Sequence, residues 1–143
     1  MASSSFVHLQ CQSEYSVKNS LIRIPKLVEC VQQAGMDSIA LTDDMSLFSA
    51  VKFYQKAIDS GVKPIIGAKV VVAFSSGQYD VIMLCQNNEG YLNLSELISK
   101  AYLNEHGIEG VSVTEEQLVE HQSGLIMVAT SISSDIAQLL LAN

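Results

Sequence analysis

Two short stretches place polar side chains where an α/β protein does chemistry. Phe6 to Ser16 reads as a short apolar strand running into a polar loop that carries Ser13, Glu14, Tyr15 and Ser16. That is the sheet edge at which such folds present side chains to a ligand. Ser38-Ile39-Ala40-Leu41-Thr42 reads as a second, nearly all-apolar strand, of the kind buried on both faces of a parallel sheet, and it runs straight into Asp43-Asp44. Carboxylates buried at a strand edge need a countercharge. A nucleophile pair of Cys11 with His8 is rejected, because positions three apart on one strand point to opposite faces. The chain has no G-x-S-x-G, no P-loop and no G-x-G-x-x-G. Cys11, Cys30 and Cys85 are odd in number and lack C-x-x-C spacing, which predicts reduced thiols and neither a disulfide framework nor a zinc site. His106 and His121 fall in loop or helix-end regions and read as solvated surface residues.

The elements that position these residues follow from punctuation and periodicity. Pro25 sits at a helix start, Leu27, Val28, Val31 and Ala34 recur at helical spacing, and Gly35 supplies the stop. Ser46 is placed to cap a second helix with a buried stripe of Leu47, Ala50, Val51, Tyr54 and Ile58, ended by Gly61. Lys63 to Phe74 is a third strand, Ser75-Ser76-Gly77 a turn, and Tyr79 to Cys85 a fourth strand. Asn87-Asn88 opens a helix carrying Tyr91, Leu94, Leu97, Ile98 and Ala101. Asn104 to Val113 is the longest expected loop, Thr114 with Gln117 fits a capping box for a short helix, and Gly124 to Ala129 is a fifth strand. Ser134-Asp135 can start a last helix ending near Leu141. Alternating strands and helices predict an α/β fold with mainly parallel strands, and periodicity leaves a barrel and an open sheet equally open.

Composition narrows the function classes. The 143 residues are one domain's worth or a piece of a larger one, and 48% hydrophobic residues against 16% charged can bury a sizeable core. A net charge of −7 makes a poor surface for phosphate backbones, so no direct nucleic-acid contact is expected. Met1 to Ser5 lacks the basic start and apolar core of a signal peptide, and no apolar run approaches a membrane span. A soluble, cytoplasmic protein with no membrane partner is expected.

The opening run Phe6-Val7-His8-Leu9-Gln10-Cys11-Gln12-Ser13-Glu14-Tyr15-Ser16 resembles F-V-H-L-H-V-H-S-x-Y-S. That motif belongs to the PHP (polymerase and histidinol phosphatase) domain that opens the alpha subunit of bacterial DNA polymerase III. Leu41-Thr42-Asp43-Asp44, with Leu47-Phe48 and Val51-Lys52-Phe53-Tyr54, resembles L-T-D-H … L-F-x-x-V-x-F-Y. Gly61 to Lys69 resembles G-I-K-P-I-I-G-C-E. Asn87 to Leu94 with Leu97 to Tyr102, and Gly124-Leu125-Ile126, resemble later segments in the right order. The resemblance runs nearly end to end. It implies that residues 1–143 are a partial PHP domain, the N-terminal portion of a distorted (β/α)7 TIM-like barrel, with the polymerase palm, fingers and thumb absent.

The resemblance also implies where metals would sit. PHP domains that are active hold divalent metals with His, Asp and Glu at strand ends, polarising a phosphate and generating hydroxide. His8 and Asp43 match that pattern. Gln10 and Gln12 stand where histidines are typical, Asp44 where another is, and Asp80 where one often follows Tyr79. Lys69 stands where a bridging Glu is typical, and an ammonium has no lone pair and repels a cation. The later ligand has no evident counterpart in Thr130-Ser131-Ile132. The expectation is a degenerate metal site, with Lys69 filling the vacated space and pairing with Asp43 or Asp44, no metal and no catalytic residue in the fragment. A single cation held by His8, Asp43 and Asp44 is the variant of this expectation.

For function, the resemblance implies a structural and protein-docking module. Its partners would be the rest of the polymerase alpha subunit and the proofreading exonuclease (epsilon) subunit. DNA-directed DNA synthesis, with Mg2+, would belong to the absent polymerase domain. The alternative is a metal-dependent phosphoesterase or pyrophosphatase of the same superfamily.

Overall fold

A computed structural model describes residues 6–75, 77–103 and 110–129. His106, the Thr130-Ser131-Ile132 stretch and the helix expected from Ser134-Asp135 lie outside the described residues. The chain divides into two compact units, Met1–Ala68 and Lys69–Asn143.

In the first unit, α1 (Ile24–Gln33) begins with Pro25 in its first turn, and Gly35, at φ 68°, turns the chain out. It leads to β1 (Ser38–Asp44), α2 (Ala50–Asp59) and the start of β2 (Lys63–Phe74). Lys63 N–H donates to Asp37 O at 2.8 Å, so β1 and β2 start side by side. The core packs Ile24, Val28, Val31, Ile39, Leu41, Phe53, Ala57 and Val62.

Three expectations for this unit are corrected. The segment from Phe6 to Gln12 is not a regular strand. It is tied to β1 where Ala40 N–H donates to His8 O at 2.9 Å and Thr42 N–H donates to Cys11 O at 2.7 Å. His8 to Cys11 spans one residue more than Ala40 to Thr42, and an extra residue on one side breaks a ladder. The buried face of α2 is Ala50, Phe53 and Ala57, while Val51, Tyr54 and Ile58 are exposed. Phe53 is the largest of the fully buried side chains and packs in the core with α1, so the helix turns that face inward. Ser46 does not cap α2: its Oγ accepts from Phe48 N–H at 3.2 Å in a turn, and the helix starts at Ala50.

In the second unit, β2 continues and β3 (Gly77–Cys85) follows after two residues, too few for a crossover, so this neighbouring pair is a hairpin. β5 (Leu125–Ala129) lies antiparallel on β3, from Val81 opposite Ala129 to Cys85 opposite Leu125. β4 (Val113–Thr114) pairs in parallel with β2 through Val72 and Val113. The sheet is therefore mixed, against the mainly parallel expectation: two residues are too few to cross over from β2 to β3, and β5 runs antiparallel to β3. α3 (Asn88–Leu103) buries Leu94, Leu97, Ile98 and Ala101. Asn87 opens it, its Oδ1 accepting from Gly90 N–H at 2.9 Å. A Cβ on Gly90 would lie 1.9 Å from Gly124 O, so only glycine permits that crossing. α4 (Glu115–Glu120) carries the expected capping box: Gln117 N–H donates to Thr114 Oγ1 at 3.3 Å, and Thr114 N–H donates to Gln117 Oε1 at 3.1 Å. The three cysteines are free thiols, as their spacing predicts.

Candidate functional site

The polar centre of the first unit is Asp43. It lies near the end of β1 and is 1% exposed. Ser13 N–H and Ser16 Oγ donate to its Oδ1, both at 2.7 Å, and Ser13 Oγ donates to its Oδ2 at 2.8 Å. Ser49 Oγ donates to the same Oδ2. Four donors thus converge on one carboxylate. Three come from the 6–16 loop, which β1 holds through the His8 and Cys11 carbonyls, and one comes from the residue before α2. Ser49 sits at the N-cap position but makes no side-chain cap, because its hydroxyl is given to Asp43.

Asp44 points along a different path. Gln12 Nε2 donates to its Oδ1 at 2.7 Å and Asn19 Nδ2 to its Oδ2 at 2.5 Å, while its own N–H donates to Ser16 Oγ at 3.0 Å. Ser16 therefore bridges the two aspartates. Met45 follows at φ 45°, a left-handed conformation uncommon outside glycine, so the chain leaves Asp43-Asp44 through a constrained turn. Thr42 Oγ1 donates to Cys11 O at 3.1 Å and Ser20 Oγ donates to Gln12 O at 2.7 Å, which pin the loop from both sides. Burial pushes the Cys11 thiol up, away from the thiolate a nucleophile would need.

His8 is exposed and stands edge-on against Phe6, with ring centroids 4.7 Å apart, and Gln10 is exposed. In the second unit Lys69 Nζ lies 3.4 Å from Asp80 Oδ2, with side chains 18% and 46% exposed. Gln12, Asp43 and Asp44 are thus brought together in one unit, and Lys69 and Asp80 are paired in the other. Within the first unit, the partners that meet the Asp43 carboxylate are three hydroxyls and a backbone N–H. Sequence reasoning kept Ser13 and Ser16 only as motif residues and missed Ser49 and Asn19. The density of hydroxyl and amide residues around the two aspartates was the available signal.

These residues do not fit a cluster of divalent cations. Gln10 and Gln12 offer only neutral amide oxygens, and Gln12 turns its NH2 toward Asp44. Both oxygens of Asp43 already accept two hydrogen bonds each.

The PHP domain family model matches residues 8–143. The DNA polymerase III subunit alpha of Vibrio cholerae is 40% identical over 144 residues, covering 99% of this chain and 12% of that protein. The Escherichia coli K12 protein of the same name is 35% identical, again covering 99% of this chain and 12% of its own length. That of Borreliella burgdorferi is 34% identical over 98% of this chain and 13% of its own length. The chain thus spans about an eighth of these relatives. Among solved structures, a Bifidobacterium adolescentis protein assigned as a metal-dependent phosphoesterase aligns with a TM-score of 0.56 at 11% identity, covering 71% of this chain and 34% of that one. An amidohydrolase from Chromobacterium violaceum, with bound sulfate and no metal, aligns with a TM-score of 0.53 at 12% identity, covering 69% and 33%. At these identities the two structures speak to the fold alone.

Proposed function

The chain belongs to the PHP domain family, and from that premise we propose that it is the PHP module of a DNA polymerase III alpha subunit, serving as a scaffold with a degenerate metal site. The observation that carries this reading is Asp43. The aspartate that the family pattern would assign to a metal is engaged by four hydrogen-bond donors, which hold the loop, β1 and the entry to α2 together. Gln10, Gln12 and Lys69 support it, since none of them supplies an anionic donor. A fold outlives its chemistry when packing surfaces are still needed. The elements are then the N-terminal portion of a distorted (β/α)7 barrel. DNA synthesis belongs to other parts of a longer cytoplasmic polypeptide, and the partners are the rest of that subunit and the proofreading exonuclease (epsilon) subunit.

Elemental analysis of the purified protein, with phosphoester hydrolysis assayed under added manganese or zinc, tests the site. The expected result is no stoichiometric metal and no turnover; bound metal together with turnover overturns the scaffold reading. Capture of the exonuclease subunit by the folded protein tests docking, with a one-to-one complex expected. The second reading is a metal-dependent phosphoesterase, favoured by the adjacent pair Asp43-Asp44 and by the fold shared with the Bifidobacterium protein.

A further inference from the structure

His121 is expected at the surface, yet it is 4% exposed and bonded at both ring nitrogens. Nδ1 lies 2.9 Å from Gln117 O, one turn back along α4, and Nε2 lies 3.0 Å from Lys100 Nζ on α3. A carbonyl only accepts and an ammonium only donates, so the roles are forced: Nδ1 carries the proton and Nε2 offers its lone pair. Among the described residues, the other charged groups facing the ring are Glu96, with Oε1 3.5 Å from Nε2, and Glu120, with Oε2 3.7 Å from Nδ1. Lys100 Nζ also lies 3.2 Å from Glu96 and 3.6 Å from Glu120. The end of α4 thus meets α3 around one ammonium ringed by an imidazole and two carboxylates.

We propose that this cluster is a proton-driven exchange of partners: His121 accepts from Lys100 when neutral, and donates to Glu96 when charged, leaving the Lys100 ammonium with its carboxylate partners alone. Taking a proton from solvent places an N–H on Nε2. A donor then points at a donor and one positive charge faces another, so ring and ammonium separate. Glu96 Oε1, 3.5 Å from Nε2, is the acceptor at hand for the new N–H. The joint between α3 and α4 stays closed throughout, and Lys100 loses the ring while keeping Glu96 and Glu120.

Long-range 1H–15N correlation spectra of the protein test this directly. In mildly alkaline buffer the Nδ1–H form of His121 should exceed the other tautomer by about tenfold, the ratio that one net hydrogen bond supports. As the ring charges, the hydrogen-bond coupling between the Lys100 ammonium and Nε2 should vanish and the ammonium signal should shift, while the α4 amides stay protected. Lys100→Met should raise the Nε2–H form to a comparable population. Glu96→Ala should leave the tautomer unchanged in alkaline buffer but let the α4 amides exchange faster once the ring is charged. An Nε2–H ring in the unaltered protein, or a Lys100 signal indifferent to ring charge, overturns the proposal; since Lys100 and Glu96 are both solvent-facing side chains, neither substitution threatens the fold.

Discussion

Asp43 and Asp80 are both expected, from the resemblance to PHP domains, at metal-ligand positions, and they are held in opposite ways. Asp43 is buried and compensated by three hydroxyls and a backbone N–H, with no cation among its partners. Asp80 is nearly half exposed and pairs with the ammonium of Lys69 at 3.4 Å. The difference follows from desolvation. A buried ion pair must strip water from two charges, whereas hydroxyls and an N–H come to one anion at a fraction of that cost. Water reaches and screens Asp80, and a lysine serves there as its partner.

The strongest way to break this comparison is Asp43→Ala. It leaves Ser13, Ser16 and Ser49 with hydroxyls aimed into an empty, water-poor space. An unsatisfied buried donor costs about 1–3 kcal/mol, so with partial re-pairing the total should reach about 3–5 kcal/mol. Urea denaturation at neutral pH measures it as a lower midpoint with an unchanged slope. A loss within experimental error would mean that Asp43 is not the hub of the first unit.

Ser16→Ala comes next. The hydroxyl donates to Asp43 and accepts from the Asp44 N–H, so one substitution leaves an acceptor short of a donor and a donor short of an acceptor. The expected cost is about 1–3 kcal/mol, read from the same denaturation curves. Combining it with Asp43→Ala should cost less than the sum, because the two residues share a bond. Strict additivity would show that the serines act independently of the carboxylate.

Asp80→Asn should matter much less. An ion pair with one partner nearly half in solvent is worth about 0–1 kcal/mol, and added salt should shrink even that. If this substitution costs as much as Asp43→Ala, the contrast between interior and margin fails.

Much of this arrangement was legible because it is local. Gly35 and Gly61 end their helices at positive φ, and the Thr114–Gln117 capping box closes as its spacing predicts. Asn87 opens α3 where an asparagine pair stood before an apolar stripe. What could not be read is what tertiary packing decides. Around α2, Val51, Phe53, Tyr54, Ala57 and Ile58 surround the helix on several sides, so periodicity defined more than one apolar face and packing against α1 chose Phe53 and Ala57. The Ser13–Asp43 bonds link residues 30 apart, and no window over the sequence brings those groups together. His121 was misplaced for the same reason: its partner Lys100 is 21 residues away, and a helix end normally faces water. The parallel expectation failed on loop length, since only two residues separate β2 from β3.

The smallest effect should come from Glu14, a charged partner on the same loop as the Asp43 donors. Its Oε1 lies 3.1 Å from Lys52 Nζ, its Oε2 accepts from Ile24 N–H at 2.9 Å, and Lys52 also lies 5.5 Å above the Tyr15 ring. Burial by itself pushes the Glu14 carboxyl up, but the Lys52 hydrogen bond, two backbone N–H groups and the Lys52 charge together hold it below its ordinary value. A carboxylate depressed in the folded state stabilises that state above its unfolded pKa of 4.5, and the contribution disappears as pH falls through the lower folded value. Glu14→Gln should therefore cost about half a kcal/mol at neutral pH, typical of a partly exposed charge at a helix start. The gap to the unaltered protein should begin to narrow once acid titration passes 4.5, and close below the folded value. Denaturant midpoints of both proteins across that range decide the matter. A gap that stays constant into acid would mean that the side chain works through its shape and neutral hydrogen bonds, placing Glu14 with the uncharged scaffold around Asp43 and leaving Lys69–Asp80 as the sole example of the ionic kind in the comparison.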